Sequence, residues 1–349
     1  MKLPPLFNPS NDMALAANVR QYVPTRHIRQ MEEDLRELAA LWEEGPWGWS
    51  LATKQHYLRT GVPEEALPDD AWLAELRRLS SREFACRYHE ELARAFPPSA
   101  VFRQGDSRRG AVVLPCRSRF LRTMDEALRL DLATGCGAGF IFKAPWSASG
   151  RGNFVTQVMD GEARRRIGST LRRQGGIVAE PYYGDKMLDF AMEFRVRDAA
   201  DGASAPVVDF LGYSIFEADR TGHYGGNYVA RQEELRRRIP LPDSLLQSLI
   251  RYHRTRLARL AYRGPVGIDM MVVRQAAPVP CGGARHGDED VVCVHPLVEI
   301  NFRMTMGLLA ILLCERGMTG DRLLTPDRPD GFVCAIRDGR LCILFNKES

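Results

Sequence analysis

The chain has 349 residues, 45% of them apolar and 26% charged, with 48 basic and 44 acidic side chains. This is the composition of a folded chain of two or three domains and excludes a disordered or collagen-like one. No apolar run reaches the roughly 20 residues of a membrane helix, and Met1-Lys2-Leu3-Pro4-Pro5-Leu6 lacks the apolar core of a signal peptide, so the expected location is cytoplasmic. A net charge of +4 without blocks of one sign gives no footprint for nucleic acid or an anionic membrane.

The eight cysteines form no C-x-x-C and no zinc-ligand spacing with histidine, and read as buried or incidental thiols. Only five of the basic residues are lysines: Lys2, Lys54, Lys143, Lys186 and Lys347. Where the chain merely needs a charge it uses arginine, so a lysine inside an apolar run asks for a specific reason.

In chain order, apolar residues 3–7, the cap-rich turn Asn8-Pro9-Ser10-Asn11-Asp12 and the run from Met13 read as strand, loop and helix start. Helical spacing predicts helices near 29–44, 69–79 and 82–96, and residues 1–113 read as one small α/β domain ahead of a second unit, 114–349. A helix near 123–130 follows. Gly135, Gly137 and Gly139 precede a strand rather than follow one, and their spacing is not that of a dinucleotide fingerprint. Strands are expected at 140–142, 176–180, 187–196, 207–215, 267–273, 291–300 and 331–336, with one long helix near 243–262 and a surface insertion at 276–290.

Two segments carry chemistry. In Phe140-Ile141-Phe142-Lys143-Ala144-Pro145-Trp146-Ser147-Ala148-Ser149-Gly150-Arg151-Gly152-Asn153 a strand delivers a lysine to its end, and small residues then free a row of backbone N–H groups for an anion. An ordinary hairpin with an exposed lysine fits the same pattern. In Leu297-Val298-Glu299-Ile300-Asn301-Phe302-Arg303, alternation puts Glu299, Asn301 and Arg303 on one face. With Asp269 of Val266-Gly267-Ile268-Asp269-Met270 on a neighbouring strand, three oxygen ligands converge in a manner that suits Mg²⁺. A solvated edge face with an Arg–Glu pair is the alternative.

The order lysine strand, glycine loop, Val178-Ala179-Glu180-Pro181-Tyr182-Tyr183, Asp269, then Glu-Ile-Asn-Phe-Arg resembles the ATP-grasp superfamily of carboxylate–amine ligases over about 113–325. The resemblance implies an α/β and α+β fold: a pre-ATP-grasp α/β domain, then two α+β subdomains with ATP between them. It implies ATP and Mg²⁺ (or Mn²⁺) as cofactors and small-molecule carboxylate and amine substrates. Lys143 would contact the α-phosphate and the adenine edge; Ser147, Ser149, Gly150, Arg151 and Gly152 would cover the phosphates; Glu180, Tyr182 and Tyr183 would read the adenine. Asp189, or else Asp185, would bind the ribose. Asp269, Glu299 and Asn301 would hold the metal, and Arg303 would steady an acyl-phosphate transition state. The family's earlier lysine has no counterpart here, since Cys116-Arg117-Ser118-Arg119 offers only arginines.

The activity implied is an ATP-dependent amide or peptide bond on a small metabolite, with a small-molecule kinase and a non-catalytic nucleotide binder as alternatives. A homodimer is the default oligomer. Gly222-His223-Tyr224-Gly225-Gly226-Asn227 suits a second covering loop or a plain glycine turn. Arg195 and Arg197 share a face that suits solvent better than a carboxylate clamp. The loop 8–12 suits substrate or helix capping. His56, His89 and His253 carry no paired ligands, and Trp42, Trp47, Trp49 and Trp72 read as core.

Overall fold

The computed structural model describes the chain apart from residues 1, 43–44, 98, 104–109, 133–138, 148–149, 151, 201–204, 220–223, 275–290, 325–330 and 347–349. The first elements are α1 (Asn11–Ala17), α2 (Arg26–Asp34), α3 (Leu51–Arg59), α4 (Asp70–Leu79), α5 (Arg82–Ala95), β1 (Phe102–Arg103), β2 (Gly110–Val113) and β3 (Arg119–Leu121). Then come α6 (Met124–Leu128), β4 (Phe140–Lys143), β5 (Phe154–Thr156), α7 (Gly161–Gln174), β6 (Ile177–Pro181), β7 (Lys186–Arg197), β8 (Val207–Ala218) and β9 (Tyr224–Tyr228). The last are α8 (Gln232–Arg238), α9 (Asp243–Leu257), β10 (Gly264–Arg274), β11 (Val291–Asn301), α10 (Met306–Glu315), β12 (Arg322–Leu323), β13 (Gly331–Arg337) and β14 (Arg340–Asn346). None of these helices is long and apolar enough to cross a membrane.

The strands form a ten-stranded sheet, β1-β2-β11-β10-β7-β8-β9-β14-β13-β12, and a four-stranded sheet, β3-β6-β4-β5. Strand alternation gives each sheet two unlike faces. On the large sheet Phe190, Met192 and Phe194 of β7 and Ile268, Met270 and Val272 of β10 enter one core with α4, α5 and α9. On the small sheet Phe140, Phe142, Ile177 and Ala179 pack against α6 and α7. The opposite faces, with Lys143 and Glu180 on one and Asp269 and Glu299 on the other, look at each other.

Side-chain caps fix several helix starts. Asp69, Ser81 and Thr305 accept the N–H of Trp72, Phe84 and Leu308, and Thr123 and Glu126 form a reciprocal capping box on α6. The expected strand at 3–7 reduces to a single bridge, Leu6 with Pro46, because Pro4 and Pro5 have no N–H for a ladder. The expected helix at 29–44 divides into α2 and a 3₁₀ segment, Arg36–Leu41, and at the break Asp34 accepts the N–H of Phe332 on β13. Among the described residues the first 113 carry no sheet of their own. Strands β1 and β2 pair into the large sheet, and α4 and α5 share its core.

Helix α10 does not follow from the sequence pattern, whereas α7, absent from the expected elements, carries the Asp160 cap and the Ala163-Ile167-Leu171 spacing of one. Met306-Gly307-Leu308-Leu309-Ala310-Ile311-Leu312-Leu313 is apolar nearly all round and has no polar face to reveal its period; it is buried against Leu38, Trp42, Trp47, Cys334, Ile336 and Leu341. Gly307 lets α10 lie directly on the large sheet. A Cβ there would collide with Glu193 Oε1 and Ser214 Oγ. Gly307→Ala is therefore expected to lower unfolding stability by about 1–3 kcal/mol in urea melts, while Gly161→Ala, at the open start of α7 and without a positive φ, serves as a reference for substitution in an open space.

Candidate functional site

Registers in the large sheet build the site. Gly267 of β10 lies between Glu193 of β7 and Asn301 of β11; Asp269 lies between Ala191 and Glu299; Met271 lies between Asp189 and His295. Strand alternation turns all these positions to one face, and Ser214 of β8, opposite Ala191, joins them. The register of β11 shifts between Glu299 and His295, the stretch that contains Pro296, which cannot give the ladder an N–H. Gly267 leaves room for Glu193 and Thr305, since a Cβ would stand 2.9 Å from Glu193 Oε2 and 2.7 Å from Thr305 Cγ2.

The small sheet supplies the opposite wall. Lys143 ends β4, and its Nζ donates to Glu180 Oε1 on β6 at 3.1 Å; both are buried. Ser118 Oγ donates to Glu180 Oε2 at 3.1 Å, and His295 Nε2 of the large sheet lies 3.5 Å from Oε1. Burial pushes the Glu180 carboxyl up, but the Lys143 charge and hydrogen bond together with His295 and His89 outweigh it and hold it at about 2. The His295 imidazole is pushed down by burial, and that of His89, 4.8 Å away centroid to centroid, is pushed down to about 3.

The segment before the sheets closes the site from a third side. Arg82, first residue of α5 and buried, donates through Nη2 to Glu299 Oε1 at 2.7 Å and through Nη1 to Ser147 Oγ at 2.8 Å and the Ala144 carbonyl at 2.7 Å. Asp12 of α1 grips Arg303, accepting from Nε at 3.0 and 3.1 Å and from Nη2 at 2.7 Å. Burial works against the Arg303 charge, but Asp12 overrides it and raises the guanidinium further above its ordinary value.

The structure therefore brings together Lys143, Ser147, Glu180, Asp269, Glu299, Asn301 and Arg303. Gly150 and Gly152 have positive φ, 69° and 82°, in the turn after β4, whereas Ser149 and Arg151 lie outside the described residues. The Tyr182 N–H donates to the Gly139 carbonyl at 2.9 Å, and the buried Tyr183 ring meets His295 edge-on. Asp189 stands in the site face with Lys186 Nζ at 2.5 Å, and burial raises its pKa; Asp185 is exposed. Gly222 and His223 lie outside the described residues, and Tyr224–Tyr228 is strand β9 rather than a loop. Arg195 and Arg197 are solvent-exposed. In the 8–12 loop, Asn8 braces Gly48 and Thr53, while Asp12 alone reaches the site.

Trp42 and Trp47 are core, with Trp49 and Trp72 packed against it. His89, which the sequence shows without a paired ligand, is buried beside His295. Arg82, His295 and Glu193 escaped sequence reading. Arg82 looks like any arginine in the first turn of a helix, and His295 and Glu193 sit singly in apolar strands. Only their registers connect them with Asp269.

The carboxylates fit a divalent cation. Asp269 and Glu299 are direct cross-strand neighbours, and burial, then the Glu299 charge, raises the Asp269 pKa well above the ordinary carboxylate range. Arg82, which pairs with Glu299, the charge of Arg303 and the Asn301 amide, which donates to Asp269 at 3.2 Å, relieve the pair. Among the described residues no three His, Cys, Asp or Glu side chains are placed to hold a metal ion. Two carboxylates and an amide suit an ion whose other ligands come from a phosphate.

The cleft thus has a lysine-bearing strand on one wall and paired carboxylate strands on the other. No family model and no curated protein matches the chain. Among solved structures it is similar to D-alanyl-alanine synthetase A from Vibrio cholerae, at 12% identity and a TM-score of 0.40 over 66% of this chain and 58% of that one. It is similar to L-amino acid ligase from Bacillus licheniformis, at 12% identity and a TM-score of 0.40 over 74% and 49%. Biotin carboxylase from Campylobacter jejuni is similar at 12% identity and a TM-score of 0.41 over 78% and 64%. The chain thus spans between 49% and 64% of the length of these proteins, and likenesses this partial carry no argument about function.

Glu193 provides a test of the site's electrostatics. Burial raises its carboxyl to about 7 against the hydrogen bonds from Thr305 and Ser214. Because the folded value lies above the unfolded one, its stabilising contribution is complete below the unfolded pKa and is lost as pH rises to about 7. In metal-free buffer the wild type is expected to lose on the order of 3 kcal/mol relative to Glu193→Gln between the two values. Urea melts across that range would show parallel curves for the two proteins if Glu193 is already ionised when folded.

Proposed function

We propose that the chain is an ATP-dependent carboxylate–amine ligase of ATP-grasp type, making an amide or peptide bond on a small metabolite. The observation that carries the reading is the pairing of Asp269 with Glu299, beside Asn301, on the face opposite Lys143. Lys143 and the turn containing Ser147, Gly150 and Gly152 suit an anionic phosphate chain. Tyr182 and Tyr183, which follow β6, suit the base, and Asp189 suits the ribose. Asp269, Glu299 and Asn301 would hold Mg²⁺, which supplies charge neutralisation on the phosphates.

In the reaction proposed, a substrate carboxylate oxygen attacks the γ-phosphorus of ATP, and the bond from that phosphorus to the β–γ bridging oxygen breaks to release ADP. The amine nitrogen then attacks the acyl carbon, the carbon–oxygen bond to phosphate breaks, and the nitrogen loses a proton. No side-chain nucleophile is required. Arg303, held by Asp12, would steady the acyl phosphate through the Nη1 and Nη2 hydrogens that Asp12 and the Met304 carbonyl leave over.

Calorimetric titration with Mg²⁺ and the non-hydrolysed analogue AMP-PNP tests the reading. Wild type is expected to bind in a magnesium-dependent manner, and Glu299→Gln and Lys143→Ala each to lose about tenfold or more in affinity, as befits charged contacts. Phosphate release that requires both an acid pool and an amine pool would then support a ligase, whereas release without an amine would favour a kinase. A folded wild type that binds no nucleotide overturns both.

A further inference from the structure

Arg82 touches both walls of the cleft. Its backbone N–H donates to the Pro145 carbonyl at 3.0 Å, and its guanidinium reaches Ala144 and Ser147 after β4 and Glu299 on β11. The residue is 5% exposed, and its Nε is buried without a partner. It lines a narrow cavity with Lys143, Glu180 and Ser118, while its partners Ser147 and Glu299 line the adjoining one with Asp12 and Asn301. Its position thus joins the Lys143 half of the cleft to the carboxylate half. The stretch where an additional lysine was sought, 116–119, holds none.

Resting on the nucleotide-binding reading above, we propose that Arg82 is the phosphate-binding cation of this site and exchanges partners: it pairs with Glu299 while the cleft is empty and with the terminal phosphates when a nucleoside triphosphate enters. The exchange couples two events. While Arg82 neutralises Glu299, the carboxylate pair is a poor cation site. Once phosphate takes the guanidinium, Glu299 is released to the metal, and metal and nucleotide bind as a unit. The free Nε and the fork geometry suit a tetrahedral anion with several acceptor oxygens. A guanidinium that served only to hold α5 against β11 would have no reason to reach the turn that faces the phosphates.

The exchange predicts effects of opposite sign. Arg82→Gln removes the cation that masks Glu299, so Mn²⁺ alone, followed by electron paramagnetic resonance, is expected to bind about tenfold more tightly than to wild type. AMP-PNP with Mn²⁺ is expected to bind about tenfold to a hundredfold more weakly, the range for a lost charged hydrogen bond. Arg82→Lys keeps the charge but not the fork, so metal alone binds as weakly as in wild type and the nucleotide loses less than in Arg82→Gln. Circular dichroism establishes that each variant is folded; if Arg82→Gln is not, Arg82→Lys decides by whether its nucleotide affinity falls at least threefold with metal binding unchanged. A variant in which both affinities fall together shows a structural arginine and overturns the exchange, as does unchanged nucleotide binding in a folded variant. Wild type that binds no nucleotide overturns the functional reading and this inference with it, whereas normal wild-type binding with indifferent Arg82 variants overturns the inference alone.

Discussion

Asp269 and Glu299 are set side by side by the β10–β11 register, half-buried on the face of the large sheet that meets the small sheet and α5. At roughly 5 Å between opposed Cβ atoms and an effective dielectric of about 20, two such charges repel by about 3 kcal/mol. That repulsion is comparable to the worth of one charged hydrogen bond, so a single well-placed cation can offset it. The surroundings are arranged accordingly: Arg82 comes to Glu299, Asn301 gives its amide to Asp269, and Arg303 stands at the end of the same strand. A fold selected for stability alone would fill those positions with apolar residues, as it does on the opposite face of the same strands.

Three pairs of opposite charge line the cleft, while Asp269 has the Asn301 amide. Lys143 is met by Glu180, Arg303 by Asp12 and Glu299 by Arg82. In each pair the two members come from different elements: two strands of the small sheet, α1 with the end of β11, and α5 with β11. The pairs therefore fasten the walls together as well as balancing charge. Under the proposed function they also mark where ligand groups belong, because an incoming anion competes for Lys143, Arg82 and Arg303 and a cation competes for the carboxylates. A closed empty cleft and a charged ligand use the same side chains, which is why breaking a pair need not leave a buried charge exposed to nothing.

Much of this was legible in the sequence because strands announce themselves by alternation and because polar residues in apolar strands stand out. Lys143, Asp269, Glu299, Asn301 and Arg303 were found in that way, and β7, β8, β10 and β11 lie close to where the pattern put them. The apolar helix α10 was illegible, since a segment buried on all sides has no period to show. That the described residues of 1–113 carry no sheet of their own was illegible for another reason. Their apolar positions, such as Leu76, Tyr88 and Leu92, are arranged as for any helical layer, and nothing in a linear pattern says whether the surface they cover is their own or the large sheet.

The partners of Asp12 and Arg82 are harder to read, lying 291 and 217 residues away. Their contacts show why this chain, which spends arginine freely, keeps so few lysines. Lys54, Lys143 and Lys186 each place one compact charge among acids, Lys54 between Glu64 and Asp70 and the others against Glu180 and Asp189. Arg82 and Arg303 each span a carboxylate and a backbone carbonyl, as Lys186 does with Asp189 and Ala218, and Arg82 adds a hydroxyl. A planar fork fixes the directions of its donors, and an ammonium on a flexible stem does not. The residue types at the site follow the number and direction of acceptors each cation must bridge, and that number is fixed by how the first two helical layers meet β11, not by any motif in the strand itself.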